Sequence, residues 1–502
     1  MRYSLSVAGA GLLLAAAPAG AETLREALAK AYNTNPTLTA DRANVRAIDE
    51  NVPIARAQGL PAANATVQYS ENVYNDANTL SNPKRQIGIQ PQLSVPLYAG
   101  GGIRSSINAA KTRVDAGRLS LRDTEASVFS SVVGAYMDVI RDEAIVSLNA
   151  QNVHVLEVNL QASRDRFQVG DLTRTDVAQS EARLALARSQ LQSAQAQLIS
   201  SREGYIRYVG TAPGALEEPP ALPNLPADPE AAVDVALKDN PALLSAQKSR
   251  DATVFDVGTA AAARLPRVSA IVGGNYFNYF DSLGAGTQFG LTQTGKSATV
   301  GVQLNLPLYQ GGGPTAQIRQ AQARRGQAIE QVTEVERSVI AQARSAYAIW
   351  KSSLQVIASS ETAVNANKLS LEGVRAENSV GSRTILDILN AEQELLNSQI
   401  TLVSAQRDAY VAGFSLLAAM GKAEARDLGL DGGALYDPLV NYKHVAHTIW
   451  DYAPAPAPKP VATSTTATPP QTAIVTKPLD PFLDTPVDSP ATNPTNSAVR
   501  RR

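Results

Sequence analysis

Two positions in the sequence carry an aspartate three residues after a threonine: Thr173 with Asp176, and Thr384 with Asp387. This spacing is typical of a capping box, in which each of the two side chains accepts a hydrogen bond from a backbone N–H in the first turn of a helix. Carboxylates repeated around the axis of a pore can instead attract cations and set its selectivity. The sequence alone favours capping, and both roles remain open.

Other residue types that could carry chemistry do not form a complete set. His444 and His447 offer a metal two ligands, which is too few for a zinc site. No nucleophile, base and acid stand in a catalytic pattern. We therefore expect no enzyme activity and no cofactor.

Two glycine triplets lie between a predicted strand and a predicted helix: Gly100, Gly101 and Gly102 in one place, and Gly311, Gly312 and Gly313 in the other. Neither triplet is followed by Lys-Ser or Lys-Thr, so a phosphate-binding loop is excluded. We interpret all six glycines as joints between a strand and a helix.

The composition excludes further classes of site. The chain of 502 residues has no cysteine, which rules out disulfides, thiolate metal sites and a lipid anchor on cysteine. Its formal net charge of −1 gives no reason to expect a nucleic-acid partner.

The first 21 residues have the pattern of an export signal. Arg2 precedes the apolar stretch 5–18, and small residues at 19–21 form a cleavage site, so the mature chain is expected to start at Glu22. No later stretch is apolar enough for a spanning helix, so an integral membrane role would have to use strands.

The sequence contains one unit written twice. The segment Ser94–Gly102 recurs as Asn305–Gly313, a shift of 211 positions. The same shift relates several further identical pairs: Tyr136 and Tyr347, Gly170 and Gly381, Asp176 and Asp387, Glu181 and Glu392, Gly210 and Gly421. A register kept over about 120 residues indicates an internal duplication.

Composition divides the chain around this duplication. We expect a signal peptide at 1–21, a first repeat at 22–212, a proline-rich linker at 213–229, a second repeat at 230–428, a C-terminal segment at 429–452, and a tail at 453–502. The tail is rich in proline and threonine with few large apolar residues, a composition that predicts disorder.

Each repeat contains two segments in which apolar and polar residues alternate, as in Ile87–Leu97 and Val300–Leu308. The alternation predicts strands with one apolar face. A soluble sandwich would show the same pattern. A length of about ten residues and a polar face of amides and glycines favour a membrane barrel. So do aromatic residues at the strand ends: Tyr98, Tyr309, Tyr276, Phe277, Tyr279 and Phe280.

Four strands cannot close a barrel, because known barrels have about eight or more. Open sheet edges are not tolerated in lipid, so several chains would have to share one barrel. The pattern therefore predicts a homo-oligomer.

Long helices follow the strands. Residues 103–167 contain no proline, and the returning helix repeats apolar or small residues at alternating spacings of three and four, the rhythm of a coiled coil. The shorter helices before the strands, each entered after Pro36 or Pro241, could stack on the return helix and complete its length. The predicted fold is mainly α, with long antiparallel coiled-coil helices and four strands per chain.

The repeated Pro-Leu-Tyr-x-Gly-Gly-Gly joints and the turns Val169–Val177 and Val380–Leu389 resemble the TolC family of outer-membrane efflux and type I secretion channels. The resemblance covers the chain from Glu22 to about Tyr442. It implies a trimer with a shared twelve-strand barrel in the outer membrane and a tunnel of twelve helices in the periplasm. It also implies a periplasmic adaptor and an inner-membrane transporter as partners.

The resemblance also implies roles for residues at the far end of the tube. Asp387 matches the family's constriction aspartate, Arg383 its gate arginine, and Asp176 the partner of that arginine in a neighbouring chain. Two positions depart from the family pattern. Asn390 stands where a second constriction aspartate is common, and Asn378 where a gate tyrosine is common, which implies a weaker anionic ring and a looser latch.

The hairpin tips match the family's adaptor-docking surface at Val169, Gly170, Leu172, Val380 and Gly381. Each glycine is also expected to end its helix in the left-handed conformation. The alternatives to a channel are an oligomeric outer-membrane fibre or adhesin, and a structural coiled-coil protein. The duplicated strands favour the channel, because adhesins normally carry one anchor at the C-terminus.

Overall fold

The computed structural model describes residues 21–74, 83–430, 435–453 and 457–484. Residues 1–20 of the expected signal peptide 1–21, and residues 454–456 and 485–502 of the expected tail, lie outside them. The helices are α1 (Leu24–Thr34), α2 (Pro36–Asp49), α3 (Asn51–Ala57), α4 (Gly102–Gln168), α5 (Arg174–Val209), α6 (Pro229–Asp239), α7 (Pro241–Ala261), α8 (Gly313–Ser379), α9 (Ile385–Ala419) and α10 (Leu439–Val445). Across these described stretches, none of the helices has both the length and the apolarity to traverse a bilayer.

The strands β1 (Ala62–Glu71), β2 (Arg85–Ala99), β3 (Arg267–Asn278) and β4 (Thr294–Asn305) form one antiparallel sheet in the order β1-β2-β3-β4. The pairing of β2 with β3 joins the two repeats. Cross-strand partners such as Val67 with Ile89, and Val272 with Val300, place the apolar residues in rows on one face, as the alternation predicted.

The two copies of the second strand end differently around their equivalent prolines. β2 continues past Pro96 through a shift of its register with β3, whereas β4 ends at Asn305, two residues before Pro307. The predicted extension of this strand to Leu308 is therefore wrong. Proline has no N–H to donate to a ladder. Past Ser94, β2 pairs only with β3, and the shift of register lets this pairing continue to Ala99. Arg267 is the first residue of β3 and pairs with both Ala99 and Asn305, so β3 offers β4 no partner beyond Asn305.

The two glycine triplets adopt the same backbone conformation at the start of the long helices α4 and α8. Gly101 and Gly312 are the N-cap residues, with φ of +78° and +80°. The glycine before each cap also has positive φ, and the glycine after it is the first helical residue: Gly100 and Gly102 in the first repeat, Gly311 and Gly313 in the second.

The triplets differ in what precedes them. The first follows β2 directly and joins a strand to a helix as expected, because β2 ends at Ala99. The second, including Gly312, does not adjoin a strand, because β4 ends at Asn305 and residues 306–310 intervene. The expectation for this triplet is corrected accordingly: Gly311, Gly312 and Gly313 join a short loop to α8.

Two helices of 67 residues, α4 and α8, dominate the molecule, and each spans about 100 Å at 1.5 Å per residue. The return helices α5 and α9 have 36 and 35 residues and pack antiparallel to them. Each pair forms a hairpin, the first from α4 and α5 and the second from α8 and α9. The main core lies beside α1, where Phe129, Tyr136, Tyr205 and Phe414 are fully buried.

Two buried asparagines join the short helices to the return helices. The Oδ1 of Asn35 accepts from the backbone N–H of Thr37 and Leu38 at the start of α2, while its Nδ2 donates to the carbonyl of Tyr208 in α5 at 2.9 Å. Asn240 repeats the arrangement, linking the start of α7 to the carbonyl of Ala419 in α9 at 2.9 Å. One side chain thus serves groups left unpaired at two helix ends and stacks the helices end to end.

The second short helix of the first repeat is interrupted, unlike its counterpart α7. α2 ends at Asp49 and α3 begins at Asn51. Pro53 has no N–H for the carbonyl of Asp49 four residues earlier, and its ring crowds that carbonyl, which breaks the continuous helix expected here.

Residues 457–484 form no helix or strand, but they lie against the hairpins. Alternate residues Gln471, Ala473 and Val475 are half-buried, and Leu483 is only 5% exposed. For this stretch the structure corrects the expectation of a disordered tail. A few apolar residues at regular spacing find grooves between helices, although the average composition of the segment could not form a core of its own.

We expect Asn35→Ala to lower the free energy of unfolding by about 2 kcal/mol, since it removes a cap and leaves the carbonyl of Tyr208 without its side-chain donor. Asn35→Ser should cost less, because a hydroxyl still caps α2. Asn33→Ala is the matched control, since Asn33 is exposed and bonds only within α1. Denaturation followed by circular dichroism measures the differences, and equal losses in Asn35→Ala and Asn33→Ala would contradict the joint.

Gly100 and Gly101 both have positive φ, +61° and +78°, so alanine at either position should cost about 1–2 kcal/mol. Only Gly100 also lacks room, because a Cβ there would lie 2.7 Å from the Cβ of Leu265. We expect Gly100→Ala to be less stable than Gly101→Ala by a further ~2 kcal/mol. Thermal melting of the two variants tests this, and equal melting temperatures would refute the close packing of this joint.

Candidate functional site at the hairpin tips

The two hairpins end in turns of the same construction. α4 is followed by Gly170 at φ +84° and α8 by Gly381 at φ +80°. The N–H of Asp171 donates to the carbonyl of Arg166 at 2.9 Å, and the N–H of Ser382 donates to that of Glu377 at 3.0 Å. These bonds are typical of a Schellman motif, in which a left-handed glycine lets the chain leave a helix.

The residue before each glycine is a valine that points into solvent. Val169 and Val380 are both 80% exposed, and Leu172 beside the first turn is partly exposed. The glycines therefore end the helices as expected, and the same turns present apolar side chains at the extreme end of the molecule.

Both candidate carboxylates form capping boxes. The Oδ2 of Asp176 accepts from the N–H of Thr173 at 2.9 Å and from its hydroxyl at 2.7 Å. Asp387 makes the same contacts with Thr384 at 2.9 and 2.8 Å. The hydrogen bond from the Thr173 hydroxyl, and then that from its N–H, lower the pKa of Asp176. The backbone N–H of Thr384, followed by its hydroxyl, lowers the pKa of Asp387. Both acids are therefore charged at neutral pH.

Arg383 and Asn378, the two residues expected at the gate, form their hydrogen bonds within the second hairpin. The Nε of Arg383 donates to the Oε2 of Glu377 at 2.8 Å, and this contact raises the pKa of the arginine. The Nδ2 of Asn378 donates to the carbonyl of Arg383 at 2.8 Å, which fastens the turn. The expected bond between Arg383 and Asp176 joins different chains, so it stays a prediction.

Asn390 bridges the two hairpins. Its Oδ1 accepts from the Nη2 of Arg183 at 2.7 Å. Because an amide oxygen is neutral, this position links the second hairpin to α5 without adding a negative charge near the tip. The departure from the family pattern thus coincides with a contact between the repeats.

Sequence reasoning missed the role of Glu392, which is 6% exposed and joins three helices. Its Oε1 accepts from Asn159 of α4 at 2.9 Å and from Arg375 of α8 at 3.2 Å. The equivalent pair in the first repeat, Arg164 with Glu181, is half-exposed. The sequence does show that both hairpins carry an arginine and a glutamate at the same spacing, and this could have pointed to Glu392. It does not show that only the pair in the second repeat is buried.

Apolar side chains near these polar contacts also join the two hairpins. Leu389 of α9 packs with Leu156 and Leu160 of α4 and with Leu184 of α5. Above the turns, the two hairpins of one chain therefore meet through a small core and charged or amide pairs. The turns themselves remain exposed at the end of the molecule.

The sequence matches the family model described as outer membrane efflux protein over residues 27–211 and 232–422, which correspond to the two repeats. It is 35% identical over 436 residues to the outer membrane efflux protein BepC of Brucella suis, covering 87% of this chain and 93% of that protein. It is 27% identical over 440 residues to the outer membrane protein TolC of Escherichia coli, covering 85% and 88% of the two chains.

The fold is similar to that of solved outer membrane channels. The crystal structure of the Campylobacter jejuni CmeC outer membrane channel aligns with a TM-score of 0.70 at 16% identity, covering 84% of this chain and 89% of that one. The predicted fold class, mainly helical with four antiparallel strands per chain, is confirmed. The chain belongs to the outer membrane efflux protein family, with its sheet in the outer membrane and its helical hairpins in the periplasm.

Proposed function

We propose that three copies of this chain form one passive conduit across the outer membrane and periplasm, serving an efflux or type I secretion system. An inner-membrane transporter would supply the energy, and a periplasmic adaptor would connect it to the conduit. The observation that carries this proposal is the sheet, which has four strands and two edges in a protein of the outer membrane.

The edges support assembly in a specific way. β4 exposes its apolar row to an unusual degree, with Val300 at 83%, Val302 at 69% and Leu304 at 62%. Because neither β1 nor β4 has a strand of the described chain on its outer side, their outer backbone groups need partners from another copy. Joining β4 of one copy to β1 of the next would satisfy them, and three copies would supply twelve strands.

The second hairpin also presents surface for a neighbour. Large apolar side chains of α8 are substantially exposed in the single chain: Ile329, Ile349, Leu354, Val356 and Leu369. Apolar residues spread along an exposed helix indicate contact with another helix. The exposed valines at the tips, Val169 and Val380, offer an apolar surface to which an adaptor would bind.

The tips suggest how the conduit closes. An inter-chain bond from Arg383 to Asp176 needs no loss of the contact with Glu377, since a guanidinium has five donor groups. Three copies of Asp387 near the axis would form an anionic ring. An exposed ion pair contributes under about 1 kcal/mol, so closure must rest on several links between chains.

Assembly into a trimer can be measured by mass. The mature chain extracted in detergent should have three times the mass of one chain by native mass spectrometry, because only closure between copies removes the sheet edges. Ion conductance in planar bilayers should accompany the trimer. A stable monomer obtained without detergent would contradict the proposal, whereas an oligomer without conductance would favour the fibre.

The proposed gate can be tested by removing its arginine. Arg383→Ser should raise conductance in planar bilayers, since it removes the proposed link to Asp176 of a neighbouring chain. Arg324→Ser is the matched control, because Arg324 is an exposed arginine near the opposite end of α8. A conductance of Arg383→Ser equal to that of the control and the unmodified protein would count against the gate.

A further inference from the structure

The C-terminal segment 457–484 runs from the base of the first hairpin toward the tips. Thr463 lies beside Gly210 at the end of α5. Farther along, Asp484 accepts from the Nε2 of Gln151 in α4 at 2.6 Å. Between these points the segment follows the surface of the first hairpin and then reaches the second. We call residues 457–484 the strap.

The part of the strap around Thr472 and Ile474 is held through its backbone carbonyls. Arg202 of α5 donates to the carbonyls of Thr472 at 2.5 Å and Ile474 at 2.9 Å. The same guanidinium pairs with Glu143 of α4 at 2.6 Å, and both side chains of the pair are largely buried. Because Arg202 is oriented by a buried partner, it presents a fixed pair of donors to an extended chain.

The C-terminal end of the strap, around Phe482 and Leu483, enters the groove between α4 and the second hairpin. Leu483 is buried in a cluster with one side chain of α4 and several of α8 and α9: Leu148, Val364, Leu371, Leu395 and Leu402. Gln399 donates to the carbonyl of Leu483 at 2.7 Å. Lys368 donates to the carbonyl of Phe482 and lies 4.9 Å from the centre of its ring. Apolar burial, backbone bonds and a cation–aromatic contact thus hold one short segment.

The residues that hold the strap differ between the repeats. Lys368 and Gln399 correspond, 211 positions earlier, to Glu157 and Arg188, which form an ion pair of their own at 2.8 Å. Arg202 corresponds to Gly413 in the second repeat. Arg202 therefore holds the strap only in the first repeat, and Lys368 and Gln399 hold it only in the second. Within the described residues, the strap occupies one groove in each chain.

We propose that the groove between α4 and the second hairpin is a peptide-binding site, and that residues 479–484 of the chain's own strap are its resident ligand. The site takes an extended segment with an apolar side chain in the Leu483 position and carbonyls facing Gln399 and Lys368. Because the strap is also tied to Arg202, it couples the two hairpins of one chain. Separating the hairpins requires Leu483 to leave its cluster.

Cross-linking tests where the strap lies, using the full chain, which has no native cysteine. Gln151→Cys with Asp484→Cys replaces one exposed contact and leaves Leu483, Gln399 and Lys368 in place. A short thiol cross-linker should join these positions within one chain. The control pair, Gln151→Cys with Thr463→Cys, should not react, because Thr463 lies at the other end of the strap.

Each result of the cross-linking has a defined meaning. A linked peptide within a band of monomer mass on a denaturing gel supports the proposal. A band of dimer mass would place the strap in the groove of a neighbouring chain and overturn the assignment to its own chain. Equal reaction of both pairs, or no reaction of the first pair, would overturn the docked strap.

Peptide binding tests the recognition. The full chain with Leu483→Asp should release the strap, since a carboxylate is costly to bury among leucines. A labelled peptide of residues 470–484 should bind this variant at least about tenfold more tightly than the unmodified chain, whose groove is occupied. The same peptide with Leu483→Asp should not bind, and circular dichroism checks that the variant keeps its helices. Equal affinity for both chains would overturn the site.

The consequence for transport rests on the proposed function. If the hairpins separate when the conduit opens, Leu483→Asp should raise conductance. Cross-linking and peptide binding require no channel activity, so they remain interpretable if the conduit itself is disproved. A docked strap with unchanged conductance in Leu483→Asp would restrict its role to binding and stability.

Discussion

β1 and β4 each have one neighbouring strand, and in the part of the chain described by the structure their outer backbone groups face no partner. Water can satisfy such groups on a soluble protein, but hydrocarbon cannot, and each unpaired group there costs several kcal/mol. In a protein of the outer membrane this constraint governs the proposed assembly. In the proposed assembly neighbouring copies complete the sheet, and the helices that continue from its strands are then arranged around the same axis.

Because of the duplication, the two halves of each chain contain the same helix-capping hydrogen bonds. Asn35 and Asn240 cap one helix while donating to the end of another, and Thr173 with Asp176 repeats as Thr384 with Asp387. These caps form locally, because they depend on residues within a few positions and on helix ends that need hydrogen bonds. The copies diverge where they meet other elements, as at the strap anchors.

The tips hold both candidate carboxylates in defined positions. Asp176 and Asp387 cap helices, and the hydrogen bonds from the threonines lower the pKa of both carboxylates and keep them ionised at neutral pH. A capping role and an anionic ring are therefore compatible, because the cap holds each charge in a defined place. Asn390 contributes differently, since it links the hairpins through Arg183 and leaves the local negative charge lower.

The duplication, the strand alternation, the long helices and the capping boxes were predictable from the sequence, because each is a periodic or short-range pattern that needs no knowledge of distant contacts. The fold was needed to establish that Glu392 is buried against Asn159, that β4 stops before Pro307, and that Leu483 fills a groove between the hairpins. These outcomes depend on which surfaces meet across hundreds of positions. A residue's own neighbours in sequence do not encode that environment, so composition assigned the strap to disorder although packing orders it.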